Sequence, residues 1–88
     1  MNKKIYFDYA ATTPMDLEVK KVMMSYFSEV FGNPSSLHSF GQTALKAVDF
    51  SREKIAKLIG ADFREIIFTG SATEANNLAI RGVIKNWK

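Results

Sequence analysis

Apolar side chains recur at helical spacing in the first third of the chain. Asp16 precedes the first run as a predicted N-cap, and Glu18 lies in the first turn, where the helix dipole favours a negative charge. The apolar positions then follow at i, i+3, i+4, i+7, i+8 and i+11, a pattern that predicts an amphipathic helix. Its members are Val19, Val22, Met23, Tyr26, Phe27 and Val30.

A second, longer helix is predicted from about Ser39 to Ile59. It follows a turn at 32–36 that combines glycine, asparagine, proline and serine. Gly60 suits the left-handed position after the last helical turn, with Lys54 and Lys57 close before it. The face predicted to be buried comprises Ala44, Ala47, Val48, Ser51, Ile55, Leu58 and Ile59.

Two segments have the pattern of extended chain. Residues 5–9 alternate between two sides, which predicts a short strand or an extended arm. Residues 65–69 contain three consecutive apolar side chains, a pattern typical of a strand that is covered on both faces in an α/β sheet. The second segment is therefore the strand candidate of the chain.

A third helix is predicted to begin between Ser71 and Thr73 and to continue to the end of the sequence. Ser71 would cap it, and Glu74 would reach back in a capping box. Apolar residues mark two of its sides, so neighbours are expected on both. They are Leu78, Ala79 and Val83 on one side and Ile80, Ile84 and Trp87 on the other.

The predicted order is arm, helix, helix, strand, helix. We divide it into an arm with two helices at 1–60 and a strand–turn–helix at 65–88. One strand and an arm are too few for an independent sheet. The expected fold class is therefore α/β, as an incomplete, mostly helical piece of a larger domain.

Composition excludes several classes of protein. The 88 residues have a net charge of +3 with lysine and arginine spread along the chain, so no nucleic-acid footprint is expected. No apolar run is long enough for a membrane span or a signal segment, so a cytoplasmic protein is expected. There is no cysteine and one histidine, and no metal site is predicted.

The turn at 69–73 is where chemistry is expected. The start of a helix leaves amide groups unsatisfied and carries a partial positive charge. Gly70, Ser71 and Ala72 have little bulk, and the Ser71 and Thr73 hydroxyls can add donors. The pattern fits an anion site at the carboxyl end of a strand, but the local pattern alone favours a plain capped helix over that site.

Three blocks of the chain resemble the cysteine desulfurases of the class V aminotransferase group. The blocks are 6–14, 31–41 and 65–82, and with the helix between the last two they cover nearly the whole sequence. The resemblance implies the large domain of a fold-type-I pyridoxal-phosphate (PLP) enzyme. It also implies a homodimer that converts L-cysteine to alanine and passes sulfur, as a persulfide, to an acceptor or scaffold protein for iron–sulfur cluster assembly or tRNA thiolation.

The resemblance also assigns residues. Ala72 and Thr73, with Ser71, match positions that hold the PLP phosphate, and Ala10 to Thr13 match a segment near the substrate. Gly70-Ser71 reverses the family's usual order, and Gln42 stands where arginine is common. No lysine matches the cofactor-attaching position, so no catalytic residue is assigned and the chain alone is expected to be inactive.

Alternatives to a desulfurase remain open at the level of sequence. Another class V enzyme, a selenocysteine lyase or an aminotransferase, would share these blocks. A non-catalytic interaction fragment that pairs with a desulfurase chain is a further alternative. His38, the single imidazole, is expected to orient the turn before the second helix by a hydrogen bond and to take no part in catalysis.

Overall fold

The computed structural model describes residues 3–87, and its regular elements there are helical. Helix α1 spans Leu17–Ser28, α2 spans Ser39–Ile59 and α3 spans Ala72–Asn86, with a single 3₁₀ turn at Phe63–Glu65. The chain divides into two compact units between Val48 and Asp49. The assignment of 1–60 and 65–88 to one domain stays a prediction.

Helix α1 begins where the sequence predicts. The Asp16 carboxylate accepts hydrogen bonds from the amides of Glu18 at 2.9 Å and Val19 at 3.3 Å. The N-cap is therefore confirmed, and it satisfies two of the amide groups that a helix start leaves open. No residue of α1 is buried, so its apolar stripe lies exposed in the described part of the chain.

The turn between α1 and α2 is tightly folded around Asn33. Its side-chain oxygen accepts from the Ser35 amide at 2.8 Å, and its carbonyl accepts from the Ser36 amide at 2.9 Å. Gly41, in the first turn of α2, is buried against this loop. A side chain at Gly41 would meet the Asn33 carbonyl oxygen at 2.6 Å, so the close approach requires glycine.

Helix α2 also ends as predicted. Gly60 has φ +69°, its amide donates to the Lys57 carbonyl at 3.4 Å, and the Ala61 amide donates to the Ala56 carbonyl at 2.8 Å. This pair of bonds is a Schellman motif, for which glycine is the favoured residue. The sequence signal at Gly60 is therefore confirmed.

The predicted buried face of α2 is only partly correct. Ala44 and Ala56 are the buried hydrophobic residues in the described part of the chain, and only Ala44 belongs to the predicted set. Leu58 and Ile59 are 84% and 67% exposed. Helical periodicity identifies which residues share a face, but no described element covers the last turn of α2.

The predicted strand at 65–69 is wrong for the residues that the structure describes. Glu65 ends the 3₁₀ turn, which Asp62 caps; Ile66 has extended dihedral angles, and residues 66–69 belong to no helix or strand. Ile67 and Phe68 are 66% and 46% exposed, so the segment is not covered on both faces. A strand needs a neighbour that exchanges hydrogen bonds with it, and residues 3–87 provide none. Residues 5–8 of the predicted arm also belong to no strand, and Tyr9 already lies in the turn that follows.

Helix α3 begins at Ala72, within the predicted range, and ends at Asn86. Trp87 leaves the helical region with ψ 124°, so the expected continuation to the end of the sequence is wrong. The apolar residues on both sides of α3 are exposed. None of the helices between residues 3 and 87 is both long and apolar enough to cross a membrane.

Candidate functional site

The candidate site is the turn that joins the extended segment 66–69 to α3. Small residues at 70–72 bring the chain from an extended to a helical path in a short distance. The Thr69 hydroxyl donates to the Ser71 carbonyl at 3.0 Å, a contact across the turn that reduces its freedom. The first amide groups of α3 therefore lie at the end of this turn.

Ser71 is the N-cap of α3. Its hydroxyl oxygen accepts from the Glu74 amide at 3.1 Å, and its carbonyl accepts from the Ala75 amide at 3.1 Å. The Glu74 carboxylate reaches back to the Gly70 amide at 2.8 Å. The capping role of Ser71 is confirmed, whereas Glu74 binds one residue earlier than a capping box requires. The amide partner of Glu74 is therefore that of Gly70, the residue before the cap.

These bonds decide which donors of the turn remain available. The amides of Gly70, Glu74 and Ala75 are all used within the chain. In residues 3–87, the amides of Ala72 and Thr73 and the Thr73 hydroxyl have no hydrogen-bond partner. All three belong to residues that are exposed. A phosphate group fits this donor set, because it accepts several hydrogen bonds and carries the charge that a helix N-terminus favours.

The charges around the turn set a limit on that fit. The Glu74 carboxylate accepts the hydrogen bond of the Gly70 amide, so a negative charge lies close to the turn and that amide cannot donate to a ligand. Its bond to the amide spreads part of its charge, as carboxylates at helix N-termini commonly do. An anion at Ala72 and Thr73 would therefore depend on direct hydrogen bonds more than on long-range attraction.

Sequence reasoning missed Arg52, which the structure places against the segment that leads into the turn. Its guanidinium donates to the Ile66 carbonyl and lies 4.9 Å from the centre of the Phe68 ring. The only signal in the sequence is position: Arg52 is four residues from both Val48 and Ala56, on the same face of α2. A charged side chain on a face shared with apolar residues is expected to have a hydrogen-bond acceptor nearby.

The other residues considered from sequence lie in the first unit. His38 accepts a 3.3 Å hydrogen bond at Nδ1 from the Gly41 amide and contacts the Phe40 ring edge-on, at 6.0 Å between centroids. This is the structural role expected for it. Tyr6 bonds the Asp8 carbonyl at 3.0 Å and the Thr12 hydroxyl at 2.7 Å, closing the turn that contains Ala10 and Ala11.

Removing the cap should destabilise α3 by a small, measurable amount. Ser71→Ala deletes the acceptor for the Glu74 amide, and a lost N-cap costs about 1 kcal/mol. The free energy of unfolding of the intact protein without cofactor, measured in urea, should fall by that amount. The control is Ser28→Ala, since the Ser28 hydroxyl has no hydrogen bond in the described residues. Equal effects from the two substitutions would contradict the cap.

Comparison with known proteins places the chain in a family. The sequence model of the aminotransferase class-V family matches residues 5–88. The chain is 58% identical over 82 residues to the cysteine desulfurase IscS of Rickettsia akari, covering 92% of this chain and 20% of that protein. It is 56% identical over 85 residues to that of Rickettsia felis, covering 96% and 21%. It is 54% identical over 83 residues to that of Dictyoglomus turgidum, covering 94% and 21%.

The match has the same extent in each of these relatives. The chain spans about a fifth of the length of the curated relatives it matches. The match nevertheless includes the arm, all three helices and the turn before α3. The chain belongs to the aminotransferase class-V family.

Proposed function

We propose that the protein to which this chain belongs is a PLP-dependent cysteine desulfurase. The observation that carries the proposal is the identity of 54–58% to three relatives named cysteine desulfurase. The open donor set at the start of α3 supports the same proposal, because it fits a phosphate. The fold would be that of a fold-type-I PLP enzyme, and the extended segment 66–69 would pair with strands from the rest of that domain.

The proposed reaction transfers sulfur from L-cysteine to a thiol of the enzyme. Carbon–sulfur bond cleavage gives L-alanine, and the sulfur joins the thiol as a persulfide, so all atoms are accounted for. When bound, PLP supplies the electron sink that this cleavage needs. The sequence has no cysteine, so the accepting thiol would belong to another part of the protein, as would the lysine that attaches the cofactor.

In this scheme the chain's own residues hold the cofactor phosphate. The amides of Ala72 and Thr73 and the Thr73 hydroxyl would donate to phosphate oxygens. Ser71 would hold the turn through its cap, and its hydroxyl hydrogen remains available as a further donor because the oxygen acts as the acceptor for Glu74. None of these residues would touch the bonds that break.

The remaining assignments extend from the same proposal. The intact enzyme would act as a homodimer in the cytoplasm and deliver sulfur to an acceptor or scaffold protein. Iron–sulfur cluster assembly and tRNA thiolation are the processes that such a sulfur donor would supply. The 88 residues alone would be inactive because they lack both the cofactor-attaching lysine and the thiol.

The test is an assay of the intact protein with L-cysteine and PLP. We expect alanine to form in equal amount to the sulfur released when a thiol reductant is present. Parallel reactions with L-selenocysteine, and with an amino acid and a keto acid, examine the other class V activities. Turnover of selenocysteine without turnover of cysteine, or amino transfer without sulfur release, would overturn the proposal.

A further inference from the structure

We propose that Arg52 is a positioning residue for the phosphate-binding turn, acting through the extended segment 66–69 and not through contact with the cofactor. The inference rests on the proposed function of Ala72 and Thr73. It adds a residue on α2 to a site that otherwise consists of one turn and one helix start. The arrangement that carries it lies entirely within the second unit of the chain.

The guanidinium of Arg52 makes three contacts with the chain that follows α2. One terminal nitrogen donates to the Ile66 carbonyl. Its central carbon lies 4.9 Å from the Phe68 ring centre and 5.5 Å from the Phe63 ring centre. Both distances lie within the range of about 6 Å in which a cation and an aromatic face attract each other. Arg52 is itself half-buried, so solvent screens these contacts less than it would screen surface contacts.

The contacts matter because the segment has few others. Residues 66–69 pair with no strand in the described chain, and the bond from Arg52 is the hydrogen bond made by the Ile66 carbonyl there. The Phe68 ring, two residues further along, lies against the same guanidinium. Arg52 therefore contacts the segment at two points, the backbone carbonyl of Ile66 and the ring of Phe68, and these two contacts restrain its direction and its rotation.

That restraint is transmitted directly to the donors of the turn. Thr69 follows Phe68, its hydroxyl bonds the Ser71 carbonyl at 3.0 Å, and Ser71 caps α3. Gly70 is the flexible link in this path, since it has no side chain to restrict it. With the segment fixed on one side and the cap on the other, the Ala72 and Thr73 amides are held in one orientation before any anion binds.

Arg64 offers a matched control. It lies in the same unit, its side chain is 88% exposed, and among residues 3–87 that side chain bonds only to nearby Asp62, at 3.2 Å. Replacement of either arginine by methionine removes one positive charge and keeps an unbranched side chain. A difference between the two variants therefore reports on contacts and not on net charge.

The test uses the intact protein with Arg52→Met, Arg52→Lys and Arg64→Met. Three quantities are measured: the PLP dissociation constant of the apoprotein, the phosphorus-31 resonance of the bound phosphate, and the urea midpoint of the apoprotein. Arg52→Met should weaken PLP binding roughly 10-fold and displace the resonance, as expected for coupled neighbouring groups. Arg52→Lys should show a smaller effect in the same direction, because an ammonium cannot bond a carbonyl and stack as a planar group. Arg64→Met should match the parent.

A structural role alone would give a different result. Arg52→Met with a lower urea midpoint but parental PLP affinity and resonance would overturn the proposal. If Arg52→Met does not fold, Arg52→Lys decides, and parental affinity and resonance in that variant overturn it equally. Thr73→Ala, measured in parallel, separates the two inferences: if it loses PLP and the Arg52 variants do not, only the role of Arg52 is wrong.

Discussion

Thr73→Ala in the intact protein should weaken PLP binding about 10- to 150-fold. A hydrogen bond from a hydroxyl to a charged acceptor contributes roughly 1.5–3 kcal/mol, and each 1.4 kcal/mol is a factor of ten in affinity. The loss should appear as cofactor release on dialysis, measured by absorbance, because the phosphate anchors PLP and takes no part in bond cleavage. Excess PLP should then restore much of the turnover.

The structure makes this substitution a clean one. The Thr73 hydroxyl has no hydrogen bond in the described residues, and the Thr73 carbonyl, which accepts from Asn77 at 2.9 Å, is unaffected by the change. The unfolding free energy of the apoprotein should therefore change little. Thr73→Ser keeps the hydroxyl and should keep most of the affinity.

Two further variants separate a binding role from a general loss of stability. Thr43→Ala makes the same chemical change on α2, where the hydroxyl donates to the Ser39 carbonyl at 3.0 Å, and should leave PLP binding unchanged. His38→Ala removes the acceptor for the Gly41 amide and should lower stability, with no rescue by excess PLP. If Thr73→Ala retains PLP through extended dialysis, the assignment of Thr73 to the phosphate is wrong, and the turn is simply the start of a capped helix.

The ends of the helices could be predicted because their signals are local. Asp16 and Ser71 accept hydrogen bonds from backbone amides at most three residues away. Gly60 adopts the positive φ that ends α2, and the bonds of this helix end likewise join residues close in sequence. Such bonds form in any context that allows the helix, so the sequence alone identifies them. The sequence predicts that Glu74 reaches back toward the cap, but only the structure shows that it binds the Gly70 amide.

The strand and the burial pattern could not be predicted to the same extent, because both depend on partners distant in sequence. Ile67 and Phe68 have the composition of a buried strand and are exposed without one. Leu58 lies on the predicted face of α2 and is 84% exposed for the same reason. Arg52 was missed because its partner Ile66 lies 14 residues away, beyond any helical or strand period.

Gly41→Ala should destabilise the protein although it replaces glycine by the best helix former. Gly41 lies in α2 without a positive φ, so helix propensity alone predicts a gain of about 1 kcal/mol. The added methyl group would instead lie 2.6 Å from the Asn33 carbonyl oxygen and 2.7 Å from the Ser36 Cβ, and it would also overlap the Ser36 carbonyl. Overpacking of this kind costs about 1–3 kcal/mol, which reverses the sign of the effect.

Gly82→Ala is the matched control, since Gly82 also lies within a helix. A Cβ there meets nothing within 4 Å in the described residues, so the same substitution in α3 should stabilise the helix by about 0.5–1 kcal/mol. The urea midpoints of the two variants should therefore move in opposite directions from the parent. A higher urea midpoint in both variants would contradict this prediction. It would mean that the loop at 33–36 can move away from α2 at no cost, so that its packing against Gly41 does not fix the start of the helix.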